Sequence, residues 1–185
     1  LGDGRYNSLD NTLKKTGIKS TAFGELAHKA LEFLVKKDMT SFENLKASFS
    51  GTDEKTLSFI TNEAKAMALD FGDSVFYKSY IEGTPIENLQ EELRFHTPKS
   101  SLGSLESKID SSYEQNISVE GVIDLLVEKP TYNLIVDYKT DHYRNPEAHK
   151  DQLLVYEKTI KALYPNKRVY GVLYYLRDHK HQDVI

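Results

Sequence analysis

The sequence contains no cysteine, no tryptophan and only 5 prolines in 185 residues. Without cysteine there is no disulfide framework, no thiolate zinc site, no cysteine-ligated iron–sulfur cluster and no thiol nucleophile. Any metal must therefore sit on histidine and carboxylate side chains. A reducing compartment is compatible with that composition. No stretch approaches the roughly 20 apolar residues that span a bilayer, and the opening Leu1-Gly2-Asp3-Gly4-Arg5 has neither an initiator methionine nor a secretory hydrophobic segment. With the abrupt end at Asp183-Val184-Ile185, this leads to the expectation of a soluble segment cut from a longer polypeptide. Disorder is excluded as well: 39% of residues are hydrophobic and the net charge is only -4, enough apolar material for one globular domain.

The charge is unevenly spread. Residues 139–181 hold more lysine and arginine than acid, while the remainder is strongly acidic. Any basic surface would come from that late segment together with Lys14, Lys15 and Lys19, and could meet phosphates. Charge alone favours the plainer account, a solvated face. A Gly-rich phosphate loop ending in Lys-Ser/Thr is missing, so no ATP hydrolysis is expected of these residues.

Periodicity organises the chain. Phe23, Leu26, Ala27, Ala30, Leu31 and Leu34 recur at helical spacing, which predicts an amphipathic helix over 20–37 with His28 beside its stripe. A second helix is expected from an N-cap at Thr52 or Asp53, carrying Leu57, Ile60, Ala64, Met67, Ala68 and Phe71, with Gly72 as a stop or kink. A short helix is expected over 73–81. Past Gly83-Thr84-Pro85 the period changes to that of a strand over 91–97, with Glu92, Arg94 and His96 on one face and Leu93 and Phe95 on the other. The serine-rich stretch 98–116 reads as a surface loop. Ser118–Glu128 and Asn133–Thr140 read as a hairpin around Lys129-Pro130-Thr131-Tyr132. Asn145 and Pro146 open a helix to about Tyr164, and Arg168–Leu176 forms a final strand. The resulting fold class is α/β, a mixed sheet flanked by helices with an N-terminal helical portion.

The hairpin carries the chemistry. Asp137 and Lys139 share a strand face. If the hairpin closes symmetrically, position i pairs with 261 minus i, so Asp124 stands opposite Asp137. Two acids facing each other among apolar neighbours need a cation between them. A hard divalent ion such as Mg2+ or Mn2+ meets that need, since it favours carboxylate oxygens and leaves positions open for water and phosphate. An internal ion pair of Lys139 with one aspartate meets it equally well, and spacing alone does not choose.

Gly121-Val122-Ile123-Asp124, Asp137-Tyr138-Lys139-Thr140, Gln152 with Tyr156, and the upstream Gly24-Glu25-Leu26-Ala27-His28-Lys29-Ala30-Leu31-Glu32 together resemble the RecB-type branch of the PD-(D/E)XK nucleases. The motifs keep the family's order over nearly the whole chain. A single Asp-x-Lys is a weak signal, whereas several motifs in register are a strong one. The chain departs from the family name in having Ile123 rather than proline before the first aspartate. Its lack of cysteine makes it more similar to the C-terminal nuclease domain of RecB- or AddA-type helicase-nucleases (exonuclease V) than to iron–sulfur members.

The resemblance implies a restriction-endonuclease-like core over residues 1–185 as a single domain, with 1–83 mainly helical and 84–185 the sheet core, and Mg2+-dependent cleavage of DNA with Mn2+ able to substitute. It implies metal ligands at His28, Asp124, Asp137 and the Tyr138 backbone carbonyl, a catalytic role for Asp124, Asp137 and Lys139, and support from Glu92, Gln152 and Tyr156. Adjacent Glu91 leaves the choice of Glu92 open. Arg144, His149 and Lys150 are candidate DNA contacts. The implied partners are single-stranded DNA or duplex ends, a helicase motor in the same polypeptide and a second AddB/RecC-like subunit. The implied location is cytoplasmic and the implied task is double-strand-break processing. The rival is a catalytically inactive nuclease-like module that binds DNA or scaffolds a partner protein, and an RNA nuclease is a weaker one.

Overall fold

The computed structural model describes residues 4–45, 51–108, 118–141 and 145–185. The chain divides into two units, one of Leu1–Glu82 with Lys139–His142 and Tyr175–Lys180, the other of Gly83–Tyr138 with Tyr143–Tyr174 and His181–Ile185.

Among its described residues the first unit holds a 3-10 turn (Gly4–Tyr6) and five α-helices. The expected helix is α2 (Ser20–Val35), preceded by α1 (Asn7–Thr16) and followed by α3 (Met39–Glu43), α4 (Glu54–Asp73) and α5 (Val75–Tyr80). The apolar stripe read from the sequence is the buried one: Phe23, Leu26, Ala27, Ala30 and Leu31 of α2 are buried, as are Ile60, Ala64, Met67, Ala68 and Phe71 of α4. The two helices pack on each other. Each large apolar side chain removed from water contributes about 1.5–3 kcal/mol. Asp53 caps α4, its carboxylate accepting the Thr56 N–H at 3.0 Å and the Thr56 hydroxyl at 2.7 Å. Those hydrogen bonds hold its pKa below the ordinary carboxylate range. Gly72 does not stop the helix, which runs to Asp73. The break comes at Ser74, whose hydroxyl caps α5 by accepting the Tyr77 N–H at 3.1 Å.

The second unit holds most of a five-stranded sheet in the order β1 (Leu89–Pro98), β2 (Ser118–Glu128), β3 (Tyr132–Lys139), β4 (Arg168–Tyr175), β5 (Lys180–Asp183). β1 and β3 both run antiparallel to β2. The Pro130-Thr131 turn is closed by the Lys129 N–H donating to the Tyr132 carbonyl at 2.9 Å, with proline supplying the preset φ of a turn. Between β3 and β4 the chain crosses over through α6 (Pro146–Leu163). Arg168 N–H bonds the Thr131 carbonyl and Leu176 N–H the Lys139 carbonyl, the same offset at both ends, so these strands are parallel and the sheet is mixed. Asn145 caps α6 through the Ala148 N–H at 3.3 Å, with Pro146 in its first turn.

α6 lies on the face of β1 that carries Phe95 and Thr97. Tyr156 meets the Phe95 ring edge-on at 5.5 Å between centroids, and the Thr97 and Thr159 hydroxyls hydrogen-bond at 2.5 Å. Gly121, paired with Phe95 across the strands, makes room for that ring: a Cβ there would fall 2.5 Å from it. The stretch expected to be a surface loop differs in its first half. Lys99–Ser101 and Gly103–Lys108 form 3-10 turns, and Leu102 and Leu105 are buried. Two leucines among serines are enough apolar surface to fold that segment back. Its remainder, from 109 onward, lies outside the described residues. No helix among the described residues is long and apolar enough to cross a membrane.

Candidate active site

The hairpin register is the expected one. The pairs run from Glu128↔Asn133 to Leu125↔Val136, each summing to 261. There the backbone ladder ends, and the Asp124 carboxylate replaces the next acceptor: the Tyr138 N–H donates to Asp124 Oδ2 at 2.8 Å. Asp137, beside it in β3, is buried at 5% exposure.

Register also separates the two glutamates of β1. Glu91 pairs with Leu125, so it shares that residue's face, away from Asp124. Pairing is regular on both sides of Glu92, from Glu91↔Leu125 to Leu93↔Ile123, which sets Glu92 opposite Asp124. Glu92 itself adopts φ 49, the left-handed region that a β-carbon disfavours, and no ladder pair forms there. Its carboxylate is exposed and comes within 4.8 Å of that of Asp124. Two carboxylates this close favour a cation between them. The strained backbone costs about 1–3 kcal/mol. Both features fall at one point of the sheet. Nothing in the sequence signalled the strain.

Gln152 and Tyr156 stand one turn apart on α6, the Gln152 amide donating to Tyr156 Oη at 2.7 Å. Gln152 is exposed and Tyr156 buried. Burial first, then the negative charges of Asp137 and Asp124, push the Tyr156 hydroxyl far above the ordinary tyrosine range, against the lowering effect of Gln152. The phenol therefore stays protonated and is held toward the two aspartates as a neutral group.

In the other unit, Lys139 closes β3, half-buried, with its carbonyl accepting the Leu176 N–H at 3.0 Å. Strand alternation gives it the face of Asp137. His28 is half-buried on α2. One turn before it, Gly24 lets α2 approach the chain just after Lys139: a Cβ at Gly24 would lie 3.3 Å from Thr140 Oγ1. Of the candidate DNA contacts, Lys150 is exposed and 3.9 Å from Glu147, and His149 is half-buried near the start of α6. Arg144 lies outside the described residues. Tyr174 and Tyr175 of β4 are buried, whereas Tyr170 is 41% exposed and meets the Tyr132 ring edge-on at 5.6 Å.

The donor set suits a hard divalent cation. Glu92 and Asp124 offer carboxylate oxygens from adjacent strands, the first of them exposed to solvent, and thiolates are absent from the sequence; the Asp137 carboxylate on β3 does not come within 4.8 Å of both.

Residues 5–184 match the PD-(D/E)XK nuclease superfamily. The chain is 29% identical over 170 residues to an ATP-dependent helicase/nuclease from Ligilactobacillus salivarius, covering 88% of this chain and 13% of that protein. It is 26% identical over 157 residues to the protein of the same name from Clostridium botulinum, covering 80% of this chain and 12% of that protein. To the exonuclease/helicase protein RexB of Lactococcus lactis it is 26% identical over 188 residues, with 90% of this chain and 16% of that protein covered. The chain thus spans between 12% and 16% of the length of these relatives. A match over nearly its full length, with the acids and lysine on one hairpin, makes this chain a member of the PD-(D/E)XK nuclease superfamily.

Proposed function

We propose that the chain is a metal-dependent deoxyribonuclease domain, residues 1–185 acting as one domain and forming the exonuclease part of a helicase-nuclease that processes double-strand breaks. The observation that supports this most is the meeting of Glu92 and Asp124 carboxylates beside Asp137, with Lys139 two residues further along the same strand.

In this reading Asp124, Asp137 and Glu92 hold Mg2+, or Mn2+ in its place, and His28 adds a neutral imidazole. The Tyr138 carbonyl joins them. In an extended strand the carbonyl and N–H of one residue face the same edge, and the Tyr138 N–H faces Asp124. When bound, the ion acidifies an attacking water and neutralises charge on the phosphoryl oxygens. Lys139 orients or deprotonates that water, or offsets charge developing on the phosphate. Gln152 fixes the Tyr156 hydroxyl, which presents a proton rather than a charge toward the aspartates. His149, Lys150 and Arg144 contact the DNA backbone. Strands arrive from a motor in the longer polypeptide, and a second AddB/RecC-like subunit completes the machine, as the helicase names of the relatives suggest.

Calorimetric titration with Mn2+ tests the metal site. Binding by the wild-type chain is expected, with loss in both Asp124→Asn and Asp137→Asn. Unchanged binding in the two variants removes the metal site, and absence of binding in the wild type turns the account toward a non-catalytic module.

A further inference from the structure

Arg177 is a charged residue that the sequence gives no reason to bury. It follows the apolar run Val172-Leu173-Tyr174-Tyr175-Leu176, in the turn between β4 and β5, where an exposed arginine would be unremarked. Its side chain is only 6% exposed. The guanidinium is held from three sides, all within the helical unit. Its two terminal nitrogens face the two oxygens of Asp10 on α1, at 2.9 and 3.3 Å, a fork-to-fork pair. The plane lies over the Tyr6 ring, 5.2 Å from its centroid. Nε donates to the Thr140 carbonyl at 2.5 Å.

Burying such a pair does little for stability, since apolar residues of the same volume serve a fold as well or better. What it gives is a fixed direction. The chain it fixes is the peptide after Lys139, and the neighbouring peptides are fixed too. The Tyr138 N–H is taken by Asp124, the Lys139 carbonyl by the Leu176 N–H at 3.0 Å, and the Thr140 carbonyl by Arg177. Three consecutive residues are thereby anchored at the point where β3 ends.

We propose that Arg177 is a positioning residue, a buried clamp that sets the backbone carrying Lys139 and so the direction of the lysine ammonium in phosphodiester cleavage. This deepens the nuclease reading and rests on it. Arg177 contacts no substrate. It acts through the Thr140 carbonyl, and Asp10 and Tyr6 act only by orienting Arg177. A shift of about 1 Å in a reacting group is worth up to a hundredfold in rate, so a clamp two residues away can be felt in turnover without touching affinity.

The test compares Arg177→Lys with Asp10→Asn in the 185-residue chain. Lysine keeps the charge before Asp10 and Tyr6 but has no Nε to reach Thr140, while Asp10→Asn weakens the ion pair and leaves the Thr140 bond. Three quantities are measured: Tm, hydrogen exchange at the Leu176 amide, and kcat and KM on linear DNA with Mg2+. Arg177→Lys is expected to speed Leu176 exchange at least tenfold and lower kcat tenfold or more at unchanged KM. Both variants are expected to lower Tm by similar amounts, but Asp10→Asn, which keeps one oxygen to orient the guanidinium, is expected to lower kcat only two- to threefold. Equal kcat losses in the two variants, or unchanged Leu176 exchange in Arg177→Lys, overturn the proposal. Absence of cleavage by the wild-type chain strikes the nuclease reading instead, and the exchange rates then decide by themselves whether the clamp exists.

Discussion

The Tyr138 N–H donates to Asp124 Oδ2 at 2.8 Å, so one carboxylate both ends a strand ladder and stands in the candidate active site. The two duties separate by substitution. Asparagine at 124 keeps an oxygen for the Tyr138 N–H and loses the charge that a divalent ion needs, whereas alanine loses both. Asp124→Ala should therefore be less stable than Asp124→Asn by about 1–3 kcal/mol, the cost of a buried donor left unmet. Neither should cleave DNA. Urea denaturation of the pair checks the difference; equal stabilities contradict the structural duty.

Glu92 offers a sharper separation of stability from activity. In an ordinary strand position glycine is less stable than alanine. At φ 49 the order should invert, because only glycine adopts that conformation without strain. Glu92→Gly is expected to exceed Glu92→Ala in stability by about 1 kcal/mol, while both lose cleavage. Alanine proving the more stable of the two would mean that the strain is not there.

Much of this architecture is legible from spacing. A hairpin loop of four residues fixed the sum rule of 261, and the hydrophobic stripe of α2 reported its buried face. Those features depend on local periodicity, which a sequence displays directly. The choice between Glu91 and Glu92 does not, since it depends on a partner strand some thirty residues away. Helix α1 has a stripe of only Leu9 and Leu13, too sparse for periodicity to show, and β5 (Lys180–Asp183) is a short polar edge strand with no apolar alternation. Leu102 and Leu105 were hidden by the serines around them. The burial of Arg177 is legible in no local pattern, because its partners Asp10 and Tyr6 lie at the other end of the chain.

Gly121 should tolerate no side chain. Gly121→Ala drives a methyl group into the Phe95 ring, which is itself held against Tyr156. A loss of about 1–3 kcal/mol is expected for such overpacking, together with a change in the near-ultraviolet circular dichroism of the displaced aromatic rings. A variant as stable as wild type contradicts the close packing of strand and ring.

Acid should weaken the helical unit partly through Glu32. Burial raises its pKa, but hydrogen bonds from Lys29 and Lys36, each at 2.5 Å, outweigh burial and leave it below the ordinary value. A carboxyl depressed in the folded state contributes stability above its unfolded pKa, and that contribution is lost as pH falls through the folded one. Glu32→Gln is therefore expected to lower Tm at pH 7 and to converge with wild type near pH 3. A Tm difference that stays constant from pH 7 to pH 3 contradicts this assignment.

The central claim is tested most directly by degradation of linear single- and double-stranded DNA by the purified chain in Mg2+, in Mn2+ and in EDTA, beside Lys139→Ala. The account predicts cleavage that requires the metal, stops in EDTA and is absent from Lys139→Ala, while that variant keeps the Mn2+ affinity of the wild type. Cleavage persisting in EDTA, or at wild-type rate in Lys139→Ala, contradicts it.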